Sequence, residues 1–354
     1  MKAAVFYGKN DVRIEERPKP KAGPNQLVVK IDYVGLCGTD ADAYKTGSFL
    51  KHGMVLGHEN IGTVTELGAG VDGYAVGDRL ICGPPTYCAV HCPPCDRGDT
   101  NICANALANT RGIGGPDGGY AEYMLVQDVK NAILVKLPGN VDPKEAVLFD
   151  VICVAIHAIR LSCFRPGDNV VVSGGGGPVG LSAVRLLRAA GARRIAVLQT
   201  GPIKRPKLLE FGADLCIDPN ETDDIAGKLR DFFGTGEEAD VCFECAGNKT
   251  SLYNCLRYCT RPGGQVVMVG QVTQPADNIV PSDFFVKEIS IQPSFVFTAK
   301  DVNIYADMLS TGKISFPGMI TGIIPLEECV EKGLNLPREE RRKHIKILID
   351  PSMR

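Results

Sequence analysis

The stretch Asn169-Val170-Val171-Val172-Ser173-Gly174-Gly175-Gly176-Gly177-Pro178-Val179-Gly180 decides the fold. An apolar β-branched run enters a glycine turn. The residues after it, Pro178 to Ala190, repeat Leu181, Val184 and Leu187 at helical spacing and stop at Gly191. Strand, turn and helix in that order are the context in which Gly175-x-Gly177-x-x-Gly180 holds a dinucleotide. The glycines allow a tight turn and let the backbone approach a pyrophosphate, which the helix N-terminus faces. Gly175, Gly177, Pro178, Val179 and Gly180 are therefore expected to bind cofactor.

Working downstream, short apolar runs at 194–198, 215–217, 239–244 and 265–269 alternate with helical stretches at 206–211, 224–233 and 251–259. Such alternation means βαβ units and a parallel, doubly wound sheet. An acidic residue that bonds the ribose 2′-hydroxyl belongs near position 199. The sequence there is Gln199-Thr200, followed by Lys204 and Arg205. Losing the carboxylate removes repulsion of a 2′-phosphate, and two cations stand ready to pair with it. NADP(H) is expected over NAD(H), with Gln199, Thr200, Lys204 and Arg205 as contacts. The competing reading makes Lys204 and Arg205 a solvated helix start.

Upstream the pattern is β. Leu27 to Val34 and Ile61 to Gly68 read as strands, and Asp142 before Pro143 reads as the N-cap of a helix running to Leu161. After 288 the alternation resumes and closes on Ile345 to Ile349. The expected division is a mainly β domain over 1–151 and 288–354, with the nucleotide domain over 152–287.

The chain has 354 residues, 44% of them hydrophobic, and a formal charge of −2, so roughly two domains with full cores are affordable and no basic footprint invites nucleic acid. No apolar run approaches the length of a membrane span, and Met1 leads into a strand-like pattern without a cleavage signal. A cytoplasmic protein with reduced thiols is expected. Its 14 cysteines then read as metal ligands where they cluster.

The strongest cluster is Cys88, Cys92, Cys95 and Cys103, in a loop rich in proline and glycine. Four thiolates there make a closed tetrahedral zinc site that orders a segment lacking a core. Two neighbouring disulfides are the alternative, and His91 could replace one ligand. A second group is Cys37 with His58, from separate loops, which suits zinc with an open position. Asp150 is the candidate third ligand. Cys242, Cys245, Cys255 and Cys259 read as small core residues.

Taken together, these segments resemble the zinc-dependent medium-chain alcohol/polyol dehydrogenase family, in its sorbitol and threonine dehydrogenase branch. The resemblance rests on Gly35-Leu36-Cys37-Gly38-Thr39-Asp40, Gly57-His58-Glu59-Asn60-Ile61-Gly62, Gly77-Asp78-Arg79 and the cysteine lobe. It rests also on Asp117-Gly118-Gly119-Tyr120-Ala121-Glu122-Tyr123, the glycine turn, Phe243-Glu244-Cys245-Ala246-Gly247 and Arg261-Pro262-Gly263-Gly264. It implies a GroES-like catalytic domain beside a Rossmann domain, one catalytic and one structural zinc, and reversible oxidation of a secondary alcohol to a ketone. Cys37 and His58 match catalytic zinc ligands, Glu59 an acid that binds or supports the metal, Asp150 the third ligand, and Thr39 the hydroxyl that bonds the reacting alcohol. A homodimer or homotetramer is implied, with the edge strand at 289–291 as its seam.

This sequence departs from the family pattern in places. Three residues separate Cys88 from Cys92 where two are usual. Cys153 lies close enough to Asp150 to compete as a ligand. Asp42 stands where a proton-relay histidine is common. The polar residues Asp42, Tyr44, Lys51, Arg111 and Asp117 are expected near the substrate, and Lys51 and Arg111 leave an anionic alcohol open. A zinc-free quinone or enoyl reductase and a non-catalytic zinc module are the rival readings.

Overall fold

A computed structural model describes residues 1–86, 88, 92–234, 237–276 and 278–353. His91 lies outside them. The strands in chain order are β1 (Lys2–Gly8), β2 (Asp11–Glu16), β3 (Leu27–Gly35), β4 (Glu59–Leu67), β5 (Arg79–Thr86), β6 (Tyr123–Val126) and β7 (Ala132–Lys136). There follow β8 (Asn169–Ser173), β9 (Arg194–Leu198), β10 (Leu215–Ile217), β11 (Ala239–Glu244), β12 (Thr260–Met268), β13 (Ser290–Pro293), β14 (Ile320–Pro325) and β15 (Lys346–Asp350). Two compact units result, Met1–Asp150 with Thr298–Arg354, and Val151–Phe297.

The first unit is built on a mixed sheet of order β14-β15-β3-β4-β5-β7, with β6 also pairing β3 and β1-β2 as a separate hairpin. The apolar side chains of β3 are buried: Leu27, Val29 and Ile31 join one core with Val34, Val64 and Leu80. The return segment is needed because β15 pairs β3 antiparallel, Leu348 against Gly35.

The second unit is a six-stranded parallel sheet of order β10-β9-β8-β11-β12-β13. Val170, Val171 and Val172 are wholly buried, as expected of a central strand covered on both faces. Each such side chain contributes about 1.5–3 kcal/mol of burial. The strand order reverses between β8 and β11, which creates the crevice where doubly wound sheets take ligands.

Two boundaries differ from the sequence reading. The second unit begins one residue earlier, at Val151, and extends to Phe297 rather than 287. The extension exists because Ser290–Pro293 pairs parallel with β12, an association that alternation alone does not reveal. The helix expected over 143–161 is two pieces, Pro143–Ala146 and Phe149–Leu161, with Asp142 capping the first by accepting from the Lys144 N–H at 2.8 Å. No helix among the described residues is long and apolar enough to cross a membrane.

Candidate metal and dinucleotide sites

The register of β3 against β4 brings a first candidate metal site together. Gly35, ending β3, pairs with Glu59, beginning β4. Cys37 lies two residues past one strand and His58 one residue before the other, so antiparallel pairing converts a separation of 21 positions into a contact. Ligand atoms of Cys37, His58 and Glu59 all fall within 4.8 Å of one another. Asp150, the last residue of this unit, lies outside that trio. Burial first, and then the Glu59 carboxylate, push its carboxyl up to about 7, against the opposing pull of His58 and Lys346.

Asp40 organises the site. Its carboxylate is buried and accepts from the Cys37 N–H at 3.1 Å, which caps the helix Gly38–Thr46, and from the Tyr120 hydroxyl at 2.8 Å. The His58 Nδ1 is 3.1 Å from it. With Nδ1 so engaged, Nε2 is the atom left for a metal, the arrangement that fixes tautomer and ring orientation in metal-binding histidines. Burial opposes charge on His58, but Asp40 and Cys37 outweigh it and raise the imidazole well above its ordinary range. Thr39 Oγ1 is 3.5 Å from the Cys37 sulfur and exposed.

Glu59 has a partner that the sequence did not disclose. Lys346 of β15, 287 residues away, places its Nζ 2.5 Å from the Glu59 carboxylate, with both side chains almost wholly buried. Burial disfavours the ammonium, yet Glu59 and then Cys37 hold its pKa above the usual value. Gly35 is required beside them, since a Cβ there would lie 1.8 Å from Glu59 Oε2. Nothing short of the full chain path points to Lys346. Asp40 was visible only as a letter of a motif.

A second candidate metal site gathers all four expected cysteines, Cys88 included. Their sulfurs lie within 4.8 Å of one another, with Cys88–Cys95 at 3.6 Å and Cys92–Cys103 at 3.7 Å. A tetrahedral site with zinc–sulfur bonds of about 2.3 Å has sulfurs about 3.8 Å apart, so the set fits zinc. No disulfide joins them. The N–H groups of Cys95 and Ala104 bring the Cys92 thiol down to about 6, whereas burial pushes Cys95 up to about 12. Four thiols this close ionise together only around a cation.

In the second unit the glycine turn after β8 runs straight into a helix. Gly177 caps the helix Pro178–Ala189. A Cβ on Gly177 would meet only the Gly174 oxygen at 3.7 Å, so that face is open, while a Cβ on Gly180 would lie 2.5 Å from the same oxygen. Gln199 folds back and its Oε1 accepts from the Gly176 N–H at 2.6 Å, while its Nε2 donates to the Thr200 oxygen. Arg205 approaches Glu221 at 3.9 Å. Lys204 is half-buried, has no ion-pair partner among the described residues, and burial lowers its pKa.

Several other expectations change. Tyr44 is buried and donates to the Asn10 oxygen, and Asp117 accepts from the Val55 N–H at 2.9 Å, so both support backbone. Arg111 is buried at 1% exposure beside Cys82, not on an open wall, and Asp42 and Lys51 are exposed. Cys242, Cys255 and Cys259 are core residues, as read.

A GroES-like unit carrying a Cys–His–acid trio and a four-cysteine lobe, joined to a dinucleotide-type sheet, defines a zinc-binding dehydrogenase. Residues 23–139 match the alcohol dehydrogenase GroES-like domain and residues 178–311 the zinc-binding dehydrogenase domain. An Aspergillus clavatus protein assigned as D-xylulose reductase A is 31% identical over 333 residues, covering 92% of this chain and 90% of its own. The crystal structure of 2R,3R-butanediol dehydrogenase from Bacillus subtilis is 30% identical with a TM-score of 0.86 over 99% of each chain. A Sinorhizobium meliloti 1021 structure assigned as a zinc-binding dehydrogenase and bound to NADP is 30% identical with a TM-score of 0.88, again over 99% of each. The chain belongs to the zinc-dependent medium-chain alcohol/polyol dehydrogenase family and is an oxidoreductase.

Proposed function

We propose that this enzyme reversibly oxidises a secondary alcohol on a polyol, sugar derivative or cyclitol to a ketone, with NADP(H) as the hydride carrier. The observation that carries this reading is the convergence of Cys37, His58 and Glu59 within 4.8 Å. Relatives named for a diol and for a pentulose support the polyol class. Cys37, His58 and an acid, Glu59 or Asp150, would hold a zinc ion that supplies Lewis acidity to the alcohol hydroxyl. Cys88, Cys92, Cys95 and Cys103 would hold the structural ion.

The chain's own residues then bind, orient and move a proton. Thr39 Oγ1 takes the hydroxyl proton and passes it outward, with exposed Asp42 or water as the next carrier. Asp40 keeps His58 in one tautomer and orientation, and Lys346 holds the Glu59 carboxylate in place. The glycine turn receives the pyrophosphate at Gly177 to Gly180. A bound nicotinamide would accept the hydride. Gln199 carries no charge to repel a 2′-phosphate, and half-buried Lys204 has no counter-ion among the described residues, which together favour NADP(H).

A dimer or tetramer forms in this reading through the edge strand β13, beside which Phe285 and Val286 are 78% and 75% exposed. Fourteen cysteines free of disulfides suit a cytoplasmic location. The test is a panel of polyols and sugar alcohols with NADP+ and NAD+, run beside metal analysis. Turnover with two zinc ions per chain and a higher kcat/KM with NADP+ is expected. A kcat/KM favouring NAD+ would reverse the cofactor choice, and a metal count near zero would turn the reading toward a quinone or enoyl reductase.

A further inference from the structure

Glu244 is a carboxyl group that the proposed reaction does not use, in a place that ordinary packing does not explain. It ends β11, at the C-terminal edge of the parallel sheet and beside the reversal of strand order between β8 and β11. Its register partners are Ser173, immediately before the glycine turn, and Met268, at the end of β12. The side chain is wholly buried, at 0% exposure. One oxygen, Oε1, accepts from the Ala246 N–H at 2.9 Å, from the Gly247 N–H at 3.0 Å and from the Ser251 hydroxyl. The other, Oε2, is buried without a hydrogen-bond partner among the described residues.

A buried polar atom left unsatisfied is costly, and Oε2 of this residue carries that cost. What the carboxyl holds shows why its position matters. The turn 245–247 is the wall on which the glycine turn rests: the Cys245 N–H donates to the Ser173 oxygen at 2.8 Å. Gly174, with φ of +80°, lies so close that a Cβ would be 2.6 Å from the Ala246 nitrogen. On the other side, a Cβ on Gly270 would lie 2.3 Å from the Gly247 nitrogen and 2.9 Å from Glu244 Oε2. The backbone oxygen of Glu244 also accepts from the Val269 and Gly270 N–H groups, both at 2.8 Å. Glu244 thus ties together the loops that follow β11 and β12, and the turn it holds is bonded in turn to the end of β8 through Cys245. In a doubly wound sheet those loop ends form the dinucleotide crevice.

We propose that Glu244 is a positioning residue for the dinucleotide: its carboxyl clamps the turn 245–247 and so fixes the glycine turn and the 269–271 loop in the form that binds cofactor. It acts through backbone and touches no reacting atom. The inference rests on the dinucleotide reading of the glycine turn and adds a determinant outside the glycine motif.

The experiment titrates NADPH and NADH into zinc-loaded wild type, Glu244→Gln, Glu244→Ala and Ser251→Ala, following the fluorescence of the reduced nicotinamide. Glu244→Ala removes the acceptor shared by three donors. It should raise Kd about tenfold or more, since one lost hydrogen bond of about 1–1.5 kcal/mol already accounts for that factor. Glu244→Gln keeps the carbonyl acceptor and should stay within about threefold of wild type, while Ser251→Ala falls between them. The KM for cofactor should rise in step with Kd, with kcat at saturating cofactor and a zinc content of two unchanged. A purely architectural role would lower kcat and active fraction together and leave Kd alone, which would overturn the proposal. If Glu244→Ala does not fold, the order wild type, Glu244→Gln, Ser251→Ala decides, and equal Kd values across the three refute it. Failure of wild type to bind either dinucleotide would overturn the nucleotide reading itself.

Discussion

Replacing Lys346 by methionine removes one charge from the pair that anchors the return segment at the metal site. Methionine keeps the apolar stem and deletes the ammonium. The carboxylate left behind is 0% exposed and loses the ammonium that stands 2.5 Å from it. Gly35 packs against its Oε2 so closely that even a methyl group would overlap it, so water has no room to enter on that side. Breaking a buried pair of this kind costs about 3–5 kcal/mol, because an uncompensated charge remains. Glu59→Gln strands the ammonium instead and should also destabilise. The double variant leaves no buried charge and should lie close to wild type, giving a coupling of about 3 kcal/mol or more. Urea unfolding of the four proteins at matched zinc content measures it. Lys346→Met within about 0.5 kcal/mol of wild type, or an additive cycle, would refute the claim that the pair is desolvated and coupled.

Cys88→Ala should reduce metal content from two ions per chain to one and expose 88–103 to proteolysis; two ions retained would remove Cys88 from the structural set. Glu244→Gln should change the pH dependence of stability. Burial chiefly, with the Cys255 sulfur beside it, pushes the Glu244 carboxyl up to about 7, against the hydroxyl of Ser251 and the N–H groups of Gly247 and Ala246. A folded pKa above the unfolded value gives stability that is complete below about 4.5 and is lost as pH rises through 7. The variant lacks this loss, so its advantage over wild type should grow by on the order of 3 kcal/mol between pH 4.5 and 7.5 and then level off. Thermal melts across that range measure it, and parallel curves would contradict the assigned ionisation.

The reading of Val170 to Gly180 needed only local information. A β-branched run, glycines and a helical repeat are short-range patterns, and the βαβ unit they make is equally short-range. The cysteine lobe was similarly legible, because its ligands lie within 16 residues and thiols have few other reasons to cluster so densely. The extra residue before Cys92 cast doubt on Cys88, yet the sulfur still reaches the cluster. Tetrahedral closure depends on where a side chain ends, and the backbone between ligands adjusts to it. Asp150 differs: its position beside a helix marked it, while the three ligand atoms found within 4.8 Å of one another belong to Cys37, His58 and Glu59.

The sequence by itself determined the class of chemistry: a glycine turn for phosphate, thiolates and imidazole for zinc, and reduced cysteines elsewhere. Only tertiary structure decided the electrostatics around those groups. Lys346 reaches Glu59 because β15 returns to pair with β3, Tyr120 and His58 share the carboxylate of Asp40, and Glu244 holds the loops after β11 and β12 from one strand end. Arg111 and Tyr44, polar in the sequence, went inside. The physical reason is common to all of them. The cost or value of a charge depends on burial and on partners a few ångströms away, and chains bring those partners from positions hundreds of residues apart.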